Sequence, residues 1–198
     1  MSVVRLLVLG VIRIHKRAYG YAVHRELLSW KIQTWTTVRP GSIYHALNQL
    51  TKERKLRAIG TQESETGPGR MLYELTQQGA AEFKELLLLA LSSFQLVELS
   101  AGVAFMQTLP RHQVIGLLKE QHERSTQTRK RLLDLTPSFP ERDQPPHTQD
   151  LLMLWGGAAA AIAEWTENLI QRLEAGEYTF RGESRPPMGA RARRRRQA

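Results

Sequence analysis

The chain has no cysteine. Disulfides and thiolate chemistry are therefore excluded, and the absence suits a reducing compartment. Long apolar runs are scarce too. The opening MSVVRLLVLGVIRIHKR is interrupted by Arg5, and no small-residue cleavage site follows it. LLLLALSSF, from Leu86 to Phe94, is far too short to span a bilayer. These shortages predict a soluble, cytoplasmic protein with no membrane partner. The six histidines stand scattered at 15, 24, 45, 112, 122 and 147, with no His-Glu-x-x-His unit, so no metal site is expected. Nucleophile-elbow, phosphate-loop and dinucleotide fingerprints are all missing. Gly67-Pro68-Gly69 reads as turn chemistry. No catalytic residue and no cofactor are expected, and the chain does not read as an enzyme.

What is present is a core and an uneven charge. The 198 residues are 41% hydrophobic, enough for one domain or two small ones. The net charge of +9 is segregated. Met1 to Leu75 hold 12 Lys/Arg against 5 Asp/Glu, Thr76 to Phe180 hold 9 against 13, and Arg181 to Ala198 hold 7 against 1. A basic front, an acidic middle and a basic tail imply a division of labour, the front suiting a polyanion through counterion release.

Periodicity places the elements. VVRLLVLGVIRI predicts a largely buried first helix, and YGYAVHRELLSW a second, with Ala22, Val23 and Leu27 inward and His24 and Arg25 outward. After the connector KIQTWTTV, Arg39-Pro40-Gly41 opens a third, since proline is tolerated in a first helical turn. At 100° per residue, Ile43, Leu47, Leu50 and Arg54 share one side of it. His45, Asn48, Gln49 and Lys52 fall opposite, and Tyr44 on the flank. LRAIGTQE and RMLYEL then read as strands about a SETGPG turn, followed by a helix capped at Thr76. From Ser92 the chain is helical: two helices meet near Leu109-Pro110, a proline-rich loop runs TPSFPERDQPPHTQ, and a long helix ends near Gly176. The tail RGESRPPMGARARRRRQA lacks apolar periodicity and is expected to be disordered.

Three helices followed by a hairpin make the order of a winged helix-turn-helix, in which the third helix can enter a major groove and the hairpin reach the flanking backbone. Ser42, His45, Asn48 and Gln49 carry the donors and acceptors that base edges match, asparagine and glutamine pairing bidentately with adenine. Lys52 and Arg70 suit phosphate. The alternative is a solvated helix face.

YGYAVHREL, PGSIYHALNQLTKERKL and GPGRMLYELTQQG together resemble the PadR family of bacterial transcriptional regulators, over roughly Val3 to Leu91. The expected fold is mainly α, the resemblance implying a winged-helix DNA-binding domain over 1–91 and a helical dimerisation and possible ligand-sensing region over 92–180, with the basic tail over 181–198 read from its charge. It also implies a homodimer that represses from a pseudo-palindromic double-stranded operator, often relieved by a small-molecule effector. Tyr19 and Tyr21 match the family's YGY block, Ser42 and Tyr44 its recognition-helix start, and Arg70 its basic wing position. The expected DNA-contact set is therefore Tyr19, Ser42, Tyr44, His45, Asn48, Gln49, Lys52 and Arg70. The family's usual Gly before the first wing strand is replaced by Arg54-Lys55, so that corner is expected to be shaped differently. Phe94, Met106, Trp155, Trp165, Leu169 and Leu173 are expected in the core, the dimer interface or a ligand pocket. A helical adaptor that binds a ligand or protein with little DNA specificity is the alternative function. For the Arg-rich tail, DNA contact, acidic lipid and plain solvation all stay open.

Overall fold

A computed structural model describes residues 1–64, 67–136 and 143–183, with the side chains of 61–70 and 137–142 outside that description. The described residues fall into two compact units, Met1–Phe105 and Met106 onward.

In the first unit, α1 (Val3–His15) is central. Seven consecutive residues, Leu6 to Ile12, are buried on every side of the helix. A helix apolar all round has to lie inside a core. Each of its fully buried aliphatic side chains contributes about 1.5–3 kcal/mol. Around it pack β1 (Arg17–Tyr19), α2 (Gly20–Ser29), α3 (Pro40–Lys52), the wing strands β2 (Leu56–Ser64) and β3 (Gly67–Leu75), α4 (Gln77–Leu91) and α5 (Leu96–Phe105). Phe105 meets Phe83 edge-on at 5.7 Å and Trp30 at 5.3 Å, which ties α5 to α4 and to the end of α2. By packing, α5 therefore goes with the N-terminal unit, although its residues follow 91.

The wing has a third strand that the hydropathy pattern missed, because three residues show no alternation. The antiparallel order is β1-β3-β2. Arg17 of β1 and Arg57 of β2 both stand opposite Glu74 of β3 and both pair with its carboxylate. Such a cross-strand triple favours one register over its neighbours. The Arg57 guanidinium first, then Arg17, lowers the Glu74 carboxyl below the usual carboxylate range. Gly67-Pro68-Gly69, expected as turn, opens β3 instead, with Gly67 paired to Ser64.

Thr76 caps α4 as expected. Its hydroxyl accepts from the Gly79 amide at 3.1 Å and donates to the Arg54 carbonyl at 2.7 Å. A Cβ on Gly79 would lie 2.0 Å from the Lys55 carbonyl oxygen, so the α4 start can meet the end of the α3–β2 corner only without a side chain there.

The second unit is an antiparallel hairpin of α6 (Arg111–Leu135) and α7 (Thr148–Glu174). Pro110 precedes α6 as read from the sequence. Gly176, at φ +82°, donates to the Leu173 carbonyl and terminates α7. Gly156 and Gly157 are carried inside the continuous helix. A polar string runs through the hairpin's centre: Thr166 donates to Gln121 Oε1 at 2.9 Å, and Gln121 Nε2 donates to Ser125 at 3.2 Å. All three are essentially buried. Part of the proline-rich loop and the tail beyond 183 lie outside the described residues, as does the expectation of disorder there. Among the described residues no helix is long and apolar enough to cross a membrane.

Candidate nucleic-acid interface

Helix α3 begins at Pro40, in its first turn, and ends at Lys52. Ile43, Ala46, Leu47 and Leu50 are buried against the unit, which turns the opposite side outward. Ser42, Tyr44, His45, Asn48 and Lys52 are exposed and Gln49 is half-buried. The structure thus brings six expected contact residues together on one helix.

That outer side divides into two stripes. Ser42, His45, Gln49 and Glu53, spaced three, four and four, border a cleft of about 500 Å³ whose other wall is Ser2, Val4 and Arg5 at the start of α1. Tyr44, Asn48 and Lys52 form the neighbouring stripe, toward α2. Tyr44 lies 6.4 Å from the His24 ring. Tyr19 ends β1, precedes α2 and stacks on Tyr21 at 5.9 Å, while the Arg25 guanidinium lies over the Tyr21 ring. Burial, with a smaller contribution from Tyr44, raises the Tyr73 hydroxyl pKa on the adjacent wing strand. Arg70 stands opposite Gln62 in the wing, and its side chain falls outside the description.

Two residues depart from the sequence reading. His24, expected outward, is half-buried, with Nε2 sealed from solvent and unpartnered. Helix periodicity alone does not register the Tyr44 ring, 6.4 Å away on α3. Arg54, expected on the inner stripe, is exposed, because the helix stops at Lys52 and Arg54 turns to φ +59°. That is the left-handed region glycine occupies without strain.

Arg5 was legible only as an interruption of an apolar run. It donates through Nη1 and Nη2 to the Glu53 carboxylate, at 3.0 and 2.5 Å, and through Nε to Glu82 at 2.6 Å. Lys55 also pairs with Glu82 at 3.6 Å. Helix α1 is thereby tied to the C-terminal end of α3 and to α4. The Glu53 carboxyl is lowered chiefly by Arg5, whose own pKa is raised by Glu53 and Glu82. An acid at the end of the polar face is in this way neutralised by a partner held on the core helix.

The remaining expected residues lie elsewhere. Phe94 is half-buried and Met106 buried. Leu169 and Leu173 are buried within the chain, whereas Trp155 and Trp165 on α7 are 52% and 42% exposed. Among the described residues, no group of three or more His, Asp or Glu is placed to hold a metal ion. The exposed set on α3 offers amide, imidazole, hydroxyl and ammonium groups, a mixture of donors and acceptors suited to recognition.

The model of the transcriptional regulator PadR-like family matches residues 8–85. Curated proteins yield no match. Among solved structures, PadR of Bacillus subtilis in complex with operator DNA is 18% identical, covering 87% of this chain and 99% of that one with a TM-score of 0.39. The same regulator in complex with p-coumaric acid is 17% identical over the same shares, with a TM-score of 0.37. A PadR-like transcriptional regulator from Bacillus cereus is 19% identical over 88% of this chain and 99% of its own, with a TM-score of 0.34. These whole-chain superpositions are loose, and the assignment rests on the family match. A buried α1, a proline-started α3 with a polar outer face, a wing and a Thr76-capped α4 all lie within or beside the stretch that matches the PadR-like family of transcriptional regulators.

Proposed function

We propose that the protein is a DNA-binding transcriptional repressor that acts as a homodimer and is released by a small-molecule effector. The observation that carries the reading is the polar, exposed side of α3, opposite a fully buried apolar side and next to the wing. In this mechanism α3 lies in a major groove. Ser42, His45, Asn48 and Gln49 meet base edges, and Tyr44, Lys52, Arg70 and, at the flank, Tyr19 hold the phosphates.

Two heads reading successive grooves need a spacing of ~34 Å, set by pairing of the helical regions. The exposed Leu154, Trp155 and Trp165 of α7 supply apolar surface for that pairing. An effector that alters the spacing releases the protein, because mis-spaced heads cannot both dock. Support for the DNA partner comes also from the match of residues 8–85 to the PadR-like family of transcriptional regulators. Selecting bound fragments from a random duplex pool tests the reading. An enriched inverted repeat is the expected result, and a pool recovered without any shared sequence would refute it.

A further inference from the structure

Glu53 is out of place on a helix that meets DNA. It follows Lys52 at the C-terminal end of α3, where the helix dipole already presents negative charge. It also continues the Ser42, His45, Gln49 stripe along the cleft. Four residues advance a helix by only ~6 Å, so a duplex that engages Gln49 meets Glu53 as well. The carboxylate is 42% exposed, so burial does not shield it from a phosphate. Left alone, it would oppose the approach of any polyanion.

The charge is answered from α1. Arg5 donates from Nη1 to one Glu53 oxygen at 3.0 Å and from Nη2 to the other at 2.5 Å, while its Nε holds Glu82 of α4 at 2.6 Å. Lys55 completes the set on Glu82 at 3.6 Å. Two cations against two anions leave no net charge. A bidentate fork fixes direction as well as charge. Its root is firm, because the next seven residues of α1, Leu6 to Ile12, are all buried.

We propose that Arg5 is a positioning residue for DNA binding: it cancels the Glu53 charge and holds that carboxylate against α1, so that the polar stripe of α3 can approach a duplex. The inference rests on the DNA-binding function proposed above and adds a residue that acts through Glu53 rather than through a base. A half-exposed ion pair contributes little to folding. Its arrangement is therefore felt chiefly when a polyanion arrives, a duplex carrying one negative charge per ~1.7 Å of its axis.

The test titrates the full chain and its variants with the selected operator and with a scrambled duplex of equal length, from about 50 to about 300 mM salt. Arg5→Gln is expected to weaken both duplexes by a similar factor, about three- to tenfold at low salt, and to flatten the logarithmic salt slope by about one unit. Adding Glu53→Gln to it is expected to restore affinity and slope together, a reversal that lost packing cannot produce. Arg5→Lys keeps the charge and is expected to keep the slope. Glu53→Gln alone is expected to tighten both duplexes, and by more than Glu85→Gln, which makes the same charge change at an exposed position of α4 outside the cluster. A double variant that binds no better than Arg5→Gln overturns the proposal while leaving the operator reading intact. Equal effects of Glu53→Gln and Glu85→Gln overturn it too, and that comparison decides alone where Arg5→Gln does not fold. A wild-type chain that binds neither duplex removes the DNA reading itself, and this inference with it.

Discussion

Arg54 holds a backbone conformation, φ +59°, in which a Cβ crowds the following carbonyl at a cost of roughly 1–2 kcal/mol. Its side chain is exposed, so little packing would be lost on removing it. Arg54→Gly is expected to raise stability by about 0.5–1 kcal/mol once glycine's greater unfolded-state freedom is deducted, as read by urea denaturation. On α3, Asn48→Ala is expected to relax base preference at one operator position by about 1–3 kcal/mol. Lys52→Ala should weaken all duplexes alike and flatten the salt slope by about one unit. Identical behaviour of the two variants on operator and scrambled DNA would remove the base-reading role. Glu183 is held at about 2, first by Arg111 and then by the Phe180 amide. A depressed folded pKa contributes stability that is full above the unfolded value of about 4.3 and fades as pH falls toward 2. Wild type should therefore exceed Glu183→Gln in melting temperature at pH 7, and the gap should close between pH 4.3 and 2. A pH-independent gap would contradict an ionic Arg111–Glu183 pair.

At the scale of elements, the α6–α7 hairpin carries polar groups where apolar ones would serve as well. Thr166, Gln121 and Ser125 satisfy one another inside it, and each is useful only at one register of the two helices. Thr166→Val keeps the shape but leaves the Gln121 carbonyl unpaired, with an expected loss of about 1–3 kcal/mol in the stability of this unit. Adding Gln121→Leu and Ser125→Ala should recover part of it, since no orphan then remains. A single variant as stable as wild type in denaturant titration would show that the string is dispensable. The wing follows the same logic on its surface, where Arg17 and Arg57 on different strands share Glu74.

For the whole molecule, the two units are chemically distinct. The N-terminal one is basic and carries the polar α3 face, while α7 of the second exposes Leu151, Met153, Leu154, Trp155 and Trp165. Large apolar side chains left exposed on one helix suit a partner surface. Trp165→Ala is expected to raise the concentration at which dimers separate by tenfold or more, measured by mass distribution along a dilution series. An unchanged distribution would take Trp165 out of the interface. Leu169 and Leu173, buried within the chain, should affect folding rather than association when truncated.

Helix order, the α3 start at Pro40, the Thr76 cap and the polar side of α3 were all legible in the sequence, because each follows from local spacing or from a residue whose chemistry acts on its neighbours. Periodicity reports which side of a helix is apolar, and on α3 that was enough to find the exposed set. It has no access to partners distant in the chain. The Arg5 bridge to Glu53 and Glu82, the His24–Tyr44 ring contact, the third wing strand and the Arg111–Glu183 pair join residues up to 77 positions apart. Only the folded chain brings those groups within reach of a hydrogen bond, and so only the tertiary structure decided them.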